Sequence, residues 1–238
     1  MYIIFDTETT GLPKRWDAPI TDTDNWPRCI QLAWQIHDEM GNLVEHHDFL
    51  IKPDGFDIPY DSEKIHGIST ALAEEQGLPL QEVLEKFNVA LNKAKFVVGQ
   101  NIGFDLNIMG CEFYRYGVTS NMANMPVLDT CTEVTAELLK IPGGRGGRFK
   151  LPNLTELHSY LFGVPFAEAH NATADVEATT RCFLELVRRE VFTAEELQVD
   201  TGYFVDFKTN NPGPIPTVGL KHINLKAASD EIRKRSQP

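Results

Sequence analysis

Four carboxylates and one imidazole stand where chemistry could be done. Asp6 and Glu8 lie two residues apart at the end of a short apolar run, Tyr2 to Phe5. Side chains alternate along a strand, so the pair shares one face. Two carboxylates side by side repel unless a proton or a cation intervenes, and a hard divalent metal is the natural resolution. Asp105 follows the apolar Phe96-Val97-Val98 and a turn over Gly99 to Gly103, then enters a helix. Asp175 begins a longer helix, with His170 five residues before it. Singly, each has an ordinary explanation: a solvated strand end, a carboxylate on a helix dipole, a structural histidine. Together they predict a two-metal phosphoryl-transfer site, with two divalent ions about 3.5–4 Å apart clamping the attacking and leaving oxygens. Oxygen ligands select Mg²⁺ or Mn²⁺ over Zn²⁺. A histidine titrates near neutrality, which makes His170 the candidate base for an attacking water.

These residues need a scaffold. Tyr2 to Phe5 reads as a buried strand ending at Asp6, broken by Thr9-Thr10-Gly11-Leu12-Pro13. Ile30 to Ile36 and Leu43 to Ile51 read as two more strands around the turn chemistry of Asp38 to Asn42. Ser69 caps a short helix, and Leu80, Val83, Leu84, Phe87 and Leu91 mark a second. Short strands at Phe96 to Val98 and from Val127 alternate with helices over Phe104 to Tyr116 and Thr132 to Leu139. Asn153 to Phe162 and a long amphipathic stretch through Val187 are helical, and Thr193 to Glu196 has capping-box spacing. That order predicts an α/β layered fold with a mixed central sheet. Residues 210–216 read as a Pro/Gly linker, and Lys221 to Arg235 as a solvated basic end.

Three segments carry a resemblance: FDTETTGL (Phe5 to Leu12), NIGFD (Asn101 to Asp105) and HNATAD (His170 to Asp175). In this order they resemble the three motifs of the DEDDh, or DnaQ-like, 3′–5′ exonucleases, the group that includes the proofreading epsilon subunit of bacterial DNA polymerase III. The resemblance covers roughly residues 1 to 190. It implies a ribonuclease H-like fold, with a five-stranded mixed sheet of three antiparallel strands then two parallel, flanked by helices. It implies that Asp6 bridges two metals, that Glu8, Asp105 and Asp175 complete the ligand set, and that His170 is the base. Thr9, Thr10, Gly11 and Leu12 match the loop receiving the 3′-terminal nucleotide. His66, in HGI, matches a segment contacting that nucleotide, and Asn101 belongs to the second motif. Asp129-Thr130 matches a structural pair. Two departures stand out: Gln100 where many relatives carry His, and a long connection from Pro13 to Cys29. The domain division that follows is 1–192 for the exonuclease domain, with 13–29 as an insertion, and 193–238 for a C-terminal helix, linker and basic tail.

The implied activity is removal of nucleoside 5′-monophosphates from single-stranded or frayed DNA 3′ ends, in proofreading linked to a polymerase. RNA ends are an alternative substrate, and a catalytically inert binding module a second alternative. All five candidate positions are filled, which ranks the inert module last. The composition fits: 238 residues, 42% hydrophobic, exclude disorder and a disulfide scaffold. A net charge of -12 argues against broad coating of nucleic acid, but not against gripping a short end through bound metal. No apolar run reaches the roughly 20 residues of a membrane span, the start lacks signal-peptide features, and four scattered cysteines suit a reducing cytoplasm.

Other features compete for attention. In Glu45-His46-His47-Asp48, strand alternation prevents the four from enclosing one ion. The GGRGGRFK loop (Gly143 to Lys150) lacks the P-loop pattern and is a surface loop or a phosphate-backbone contact. Trp34 lies in a strand and reads as core. Trp16 and Trp26 are open candidates for base stacking.

Overall fold

The computed structural model describes residues 1–166, 171–220 and 224–236. Its sheet has five strands: β1 (Tyr2–Thr9), β2 (Cys29–His37), β3 (Leu43–Leu50), β4 (Phe96–Gly99) and β5 (Val127–Asp129), in the order β3-β2-β1-β4-β5. β1 pairs antiparallel with β2, and β2 with β3. β4 runs parallel to β1, and β5 parallel to β4. This is the ribonuclease H-like arrangement that the motifs imply.

The helices are α1 (Tyr60–His66), α2 (Thr70–Gln76), α3 (Leu80–Leu91), α4 (Gly103–Arg115), α5 (Glu133–Leu139), α6 (Leu154–Phe162), α7 (Ala172–Arg188), α8 (Ala194–Leu197), α9 (Tyr203–Asn210) and α10 (Leu225–Ser236). They cover both faces of the sheet. Alternation along β1 sends Ile3 and Phe5 into a core with Trp34, Val83, Phe87 and Ile108 from β2, α3 and α4. It sends Tyr2 and Ile4 into a second core with Leu157, Val176, Phe183 and Leu186 from α6 and α7. Burial on both faces explains why β1 and β2 begin as near-continuous apolar runs.

Two expectations change. β1 does not stop at Asp6; it continues through the acidic motif to Thr9, because β2 keeps pairing with it (Thr7 with Leu32, Glu8 with Gln31). The C-terminal basic segment is not a solvated end. It forms α10, whose Leu225 and Ile232 enter a third apolar cluster with Ile30, Ile58, Ile68 and Leu72. Ser229 Oγ donates to Gly67 O at 2.6 Å and accepts from Ser69 N at 3.1 Å. Gly67 has φ 80°, and a Cβ there would lie 2.8 Å from the Lys226 nitrogen, so only glycine admits this contact. The sequence showed only the basic face; the apolar residues are too few to register as a helical stripe.

Candidate active site at the end of the central strand

β4 pairs with β1 only from Tyr2 to Ile4, while β2 continues along the other edge. The strands therefore diverge beyond Ile4, and a crevice opens where the order of connection reverses, the usual ligand position in an α/β sheet. Asp6 and Glu8 follow Tyr2 and Ile4 in alternation and face the α7 layer. Asp175, in the first turn of α7, meets them there. Asp6, Glu8 and Asp175 each offer an oxygen, and these three atoms lie within 4.8 Å of one another.

Asp105 arrives from the opposite layer, in the first turn of α4. The divergence of β4 leaves the Thr7 N–H without a strand partner, and Asp105 Oδ1 accepts it at 3.0 Å. Thr7 Oγ1 donates to the same oxygen at 2.7 Å. Sequence reasoning passed over Thr7. Its odd position in β1, out of phase with Asp6 and Glu8, was the available signal that it faces the α4 side.

The cluster is electrostatically strained without a cation. Burial pushes the Asp6 carboxyl well above its ordinary range, and the charges of Asp105, Asp175 and Glu8 add to it. Glu8 is pushed up to about 8 by burial and then by Asp175 and Asp105. Burial raises Asp105 to about 7, against the pull of its two Thr7 bonds. Hard oxygen donors, gathered and resisting ionisation, fit a divalent cation, which would supply the missing countercharge. His170 lies outside the described residues.

Several elements hold the carboxylates in place. Asn171 caps α7 by accepting from Thr173 N, and Gln31 Oε1 accepts from Ala172 N at 3.2 Å. Gln31 is 1% exposed in the middle of an apolar strand, and its amide also donates to Asp48. It therefore ties the start of α7 to the sheet beside Glu8, another role the sequence analysis did not assign. Asp129 accepts from Asn101 N at 2.8 Å and Ile102 N at 3.2 Å, fixing the loop that delivers Asp105. Asn101 takes φ 55°, a left-handed conformation that asparagine tolerates better than most residues. Gln100 donates to Pro152 O at 2.8 Å, so the departure at this position serves a backbone contact.

Thr9 to Leu12 form a tight loop beside the cluster. Thr9 Oγ1 donates to Gly11 O, Thr10 pairs with Arg28, and Ser62 Oγ of α1 donates to Thr10 O at 2.9 Å. Leu12 is largely exposed. His66 is buried at the end of α1, and its Nδ1 accepts from Ile68 N at 3.0 Å, so the neutral ring carries its proton on Nε2. The EHHD segment lies in β3, where Glu45 binds Lys93 and Asp48 binds Gln31. In the Gly/Arg loop, Arg148 pairs with Glu133 and Lys150 with Glu156.

A ribonuclease H-like sheet with carboxylates converging at its switch point is an arrangement that fits divalent cations and phosphodiester chemistry. The exonuclease family model of the RNase T type matches residues 3–183, and the chain belongs to that family. It is 29% identical over 186 residues to the PolC-type DNA polymerase III of Pediococcus pentosaceus, a match covering 78% of this chain and 11% of that protein. With its Streptococcus thermophilus counterpart the identity is 28% over 237 residues, covering 99% and 13%. The chain thus spans about an eighth of the length of these relatives. Among solved structures, Escherichia coli exonuclease I in complex with a dA16 oligonucleotide superposes with TM-score 0.60 at 21% identity, over 83% of this chain and 42% of that one. Exonuclease I from Methylocaldum szegediense gives TM-score 0.58 at 25% identity, over 79% and 40%.

Proposed function

We propose that this protein is a 3′–5′ exonuclease that removes nucleoside 5′-monophosphates from single-stranded or frayed DNA ends, in proofreading linked to DNA polymerase III. The observation that carries the reading is the convergence of Asp6, Glu8 and Asp175 at the end of β1, with Asp105 entering from the other layer. Similarity to PolC-type polymerases and to an exonuclease solved with an oligonucleotide supports DNA as substrate and a polymerase as partner. No helix among the described residues is long and apolar enough to cross a membrane, and the site of action proposed is the cytoplasm.

Asp6, Glu8, Asp105 and Asp175 would hold two divalent cations, Mg²⁺ or Mn²⁺, which when bound polarise the phosphodiester and acidify the attacking water. Thr9 to Leu12, His66 and Asn101 would seat the terminal nucleotide and align its phosphate. His170 is the proposed base, accepting the proton of the attacking water. The 3′ oxygen of the penultimate nucleotide then leaves, and a 5′-monophosphate is released.

Digestion of matched DNA and RNA strands, with Mg²⁺ and with chelator, on paired and mismatched 3′ termini, tests the reading. Metal-dependent release of 5′-monophosphates from DNA, faster at mismatches, is the expected result. Preferential RNA degradation would move the assignment to an exoribonuclease. Asp6→Ala or Asp175→Ala should abolish release while far-ultraviolet circular dichroism stays unchanged. His170→Ala should cost about 10²–10⁴ in rate. Activity surviving both carboxylate changes would sink the site.

A further inference from the structure

The segment between β1 and β2 contains two tryptophans with opposite fates. Trp26 is 3% exposed, its indole N–H bonded to Pro19 O at 3.1 Å, and it packs into the core shared by α3 and α4. Trp34, in β2, is 1% exposed. Trp16 is 61% exposed, although the loop around it is firmly built. Asn25, itself buried, clamps the residue before it from both sides: Arg15 N donates to Asn25 Oδ1 at 2.8 Å, and Asn25 Nδ2 donates to Arg15 O at 3.0 Å. Lys14 N bonds Asn25 O. Arg115 donates to the carbonyls of Pro27, Thr23 and Trp26. This loop is a fixed wall standing on α4, the helix that carries Asp105.

Leaving a large aromatic ring in water is unfavourable, and tryptophan is highly buried on average. Here the chain orders the backbone next to Trp16 and still turns the ring outward. The indole lies tilted against Phe104, at 5.8 Å between ring centroids. Phe104 immediately precedes Asp105 in the first turn of α4, so Trp16 packs on the helix turn that delivers this carboxylate. Exposed Lys14 and Arg15 precede it in the chain, Arg15 held at 3.2 Å to Asp17. A solvent-exposed aromatic ring is what single-stranded nucleic acid recognition uses, because every base offers a face for stacking.

We propose that Trp16 is a stacking platform for a base of the single strand whose 3′ end lies at the carboxylates, upstream of the terminal nucleotide. The proposal rests on the exonuclease reading for the identity of that strand. A fixed platform spares the strand the cost of ordering a mobile side chain on binding. It also grips by aromatic area rather than by basic charge, which suits a chain of net charge -12.

The test uses an oligothymidylate of about ten nucleotides, labelled and carrying hydrolysis-resistant phosphorothioate linkages, in the presence of Mn²⁺. Anisotropy of the label gives affinity, and tryptophan emission reports contact, since Trp26 and Trp34 are buried. The strand should quench wild-type emission, and Trp16→Phe should remove that quenching while keeping most of the affinity. Trp16→Ala should weaken binding about 5- to 160-fold, the span of base–aromatic stacking. On hydrolysable DNA the loss should fall on KM rather than kcat. Unquenched emission on binding, or wild-type affinity in Trp16→Ala, overturns the proposal. Wild-type chain that binds DNA but releases no nucleotide would instead count against the exonuclease reading, and the quenching and affinity would still decide the role of Trp16.

Discussion

Two kinds of buried acid occur in this molecule, and folding resolves them in opposite ways. Glu112 on α4 and Glu185 on α7 have fully buried side chains, each surrounded by arginines. Glu112 binds Arg28 at 3.0 Å, Arg115 at 3.1 Å and the Cys29 N–H at 2.9 Å. Glu185 binds Arg188 at 2.6 Å, Arg189 at 2.7 Å and the Ile215 N–H at 3.1 Å. Burial raises the Glu185 pKa, but these bonds outweigh it and leave the carboxyl below its ordinary value. At the end of β1 the charges acting on Asp6 and Glu8 are other carboxylates, and Glu8 stands at about 8. The chain supplies its own cations where the acid is a structural tie. At the proposed metal site, the divalent cations would supply the countercharge from outside.

The largest effect expected from breaking the comparison is on the structural side. Glu112→Ala removes the carboxylate partner of Arg28 and Arg115 and leaves the Cys29 N–H without its acceptor. Removing one partner of a buried ion pair costs about 3–5 kcal/mol. Glu185→Ala should cost a similar amount, since Arg188, Arg189 and the Ile215 N–H lose their acceptor. Urea denaturation should show both losses. A change below about 1 kcal/mol, the range of exposed pairs, would mean that the arginines find water instead.

The two kinds of acid were not equally legible. Asp6 and Glu8 were readable because a period of two is a local rule, and Asp105 and Asp175 because each opens a helix, Asp105 after a short apolar strand. The short apolar runs predicted a mixed sheet, and its arrangement of three antiparallel strands then two parallel was what the resemblance to the exonuclease family implied. Glu112 and Glu185 gave no signal: each sits on an ordinary helix. Some of their partners, Arg28 and Cys29 for one and Ile215 for the other, lie 30 to 84 residues away. Thr7 and Gln31 were hidden for a related reason, since their roles depend on which layer passes behind the strand. Docking of α10 was invisible because its contact depends on Gly67 and Ser229, 162 positions apart.

On the site side the effect should be reversed in sign and confined to a pH window. A carboxyl whose folded pKa lies above its unfolded value keeps its proton in the folded state while the unfolded chain has lost it. Its contribution is fully present below the unfolded pKa and is lost as pH rises through the folded one. For Glu8 that window runs from the ordinary 4.5 to about 8. Metal-free chain should therefore lose stability between about pH 5 and pH 8, at up to about 1.4 kcal/mol per pH unit for each such group. Glu8→Gln should flatten the profile and raise Tm at the upper end, stabilising the fold while removing function. Mn²⁺ or Mg²⁺ should restore Tm of the wild-type chain by binding only the folded state. Thermal melts in chelator and in metal, across the pH range, make the check. A metal-free Tm that rises through this window would contradict the electrostatic picture of the cluster.

The subtlest break concerns Thr7, which joins the two regimes. It gives Asp105 two hydrogen bonds within the protein, so this carboxylate is partly satisfied by the chain in a way that Glu8 is not. Both bonds pull the Asp105 pKa down against burial, and the result is about 7. Thr7→Val keeps the backbone donor and the β-branched shape but deletes the hydroxyl, so the Asp105 pKa should rise further. A cation must then displace a more tightly held proton. The Mn²⁺ concentration for half-maximal nucleotide release should increase about 2- to 10-fold near neutrality, the span of one hydrogen bond. Well above the shifted pKa the proton is already gone, and the increase should shrink. Equal increases at both pH values would mean that the hydroxyl acts by positioning Asp105 and not through its charge.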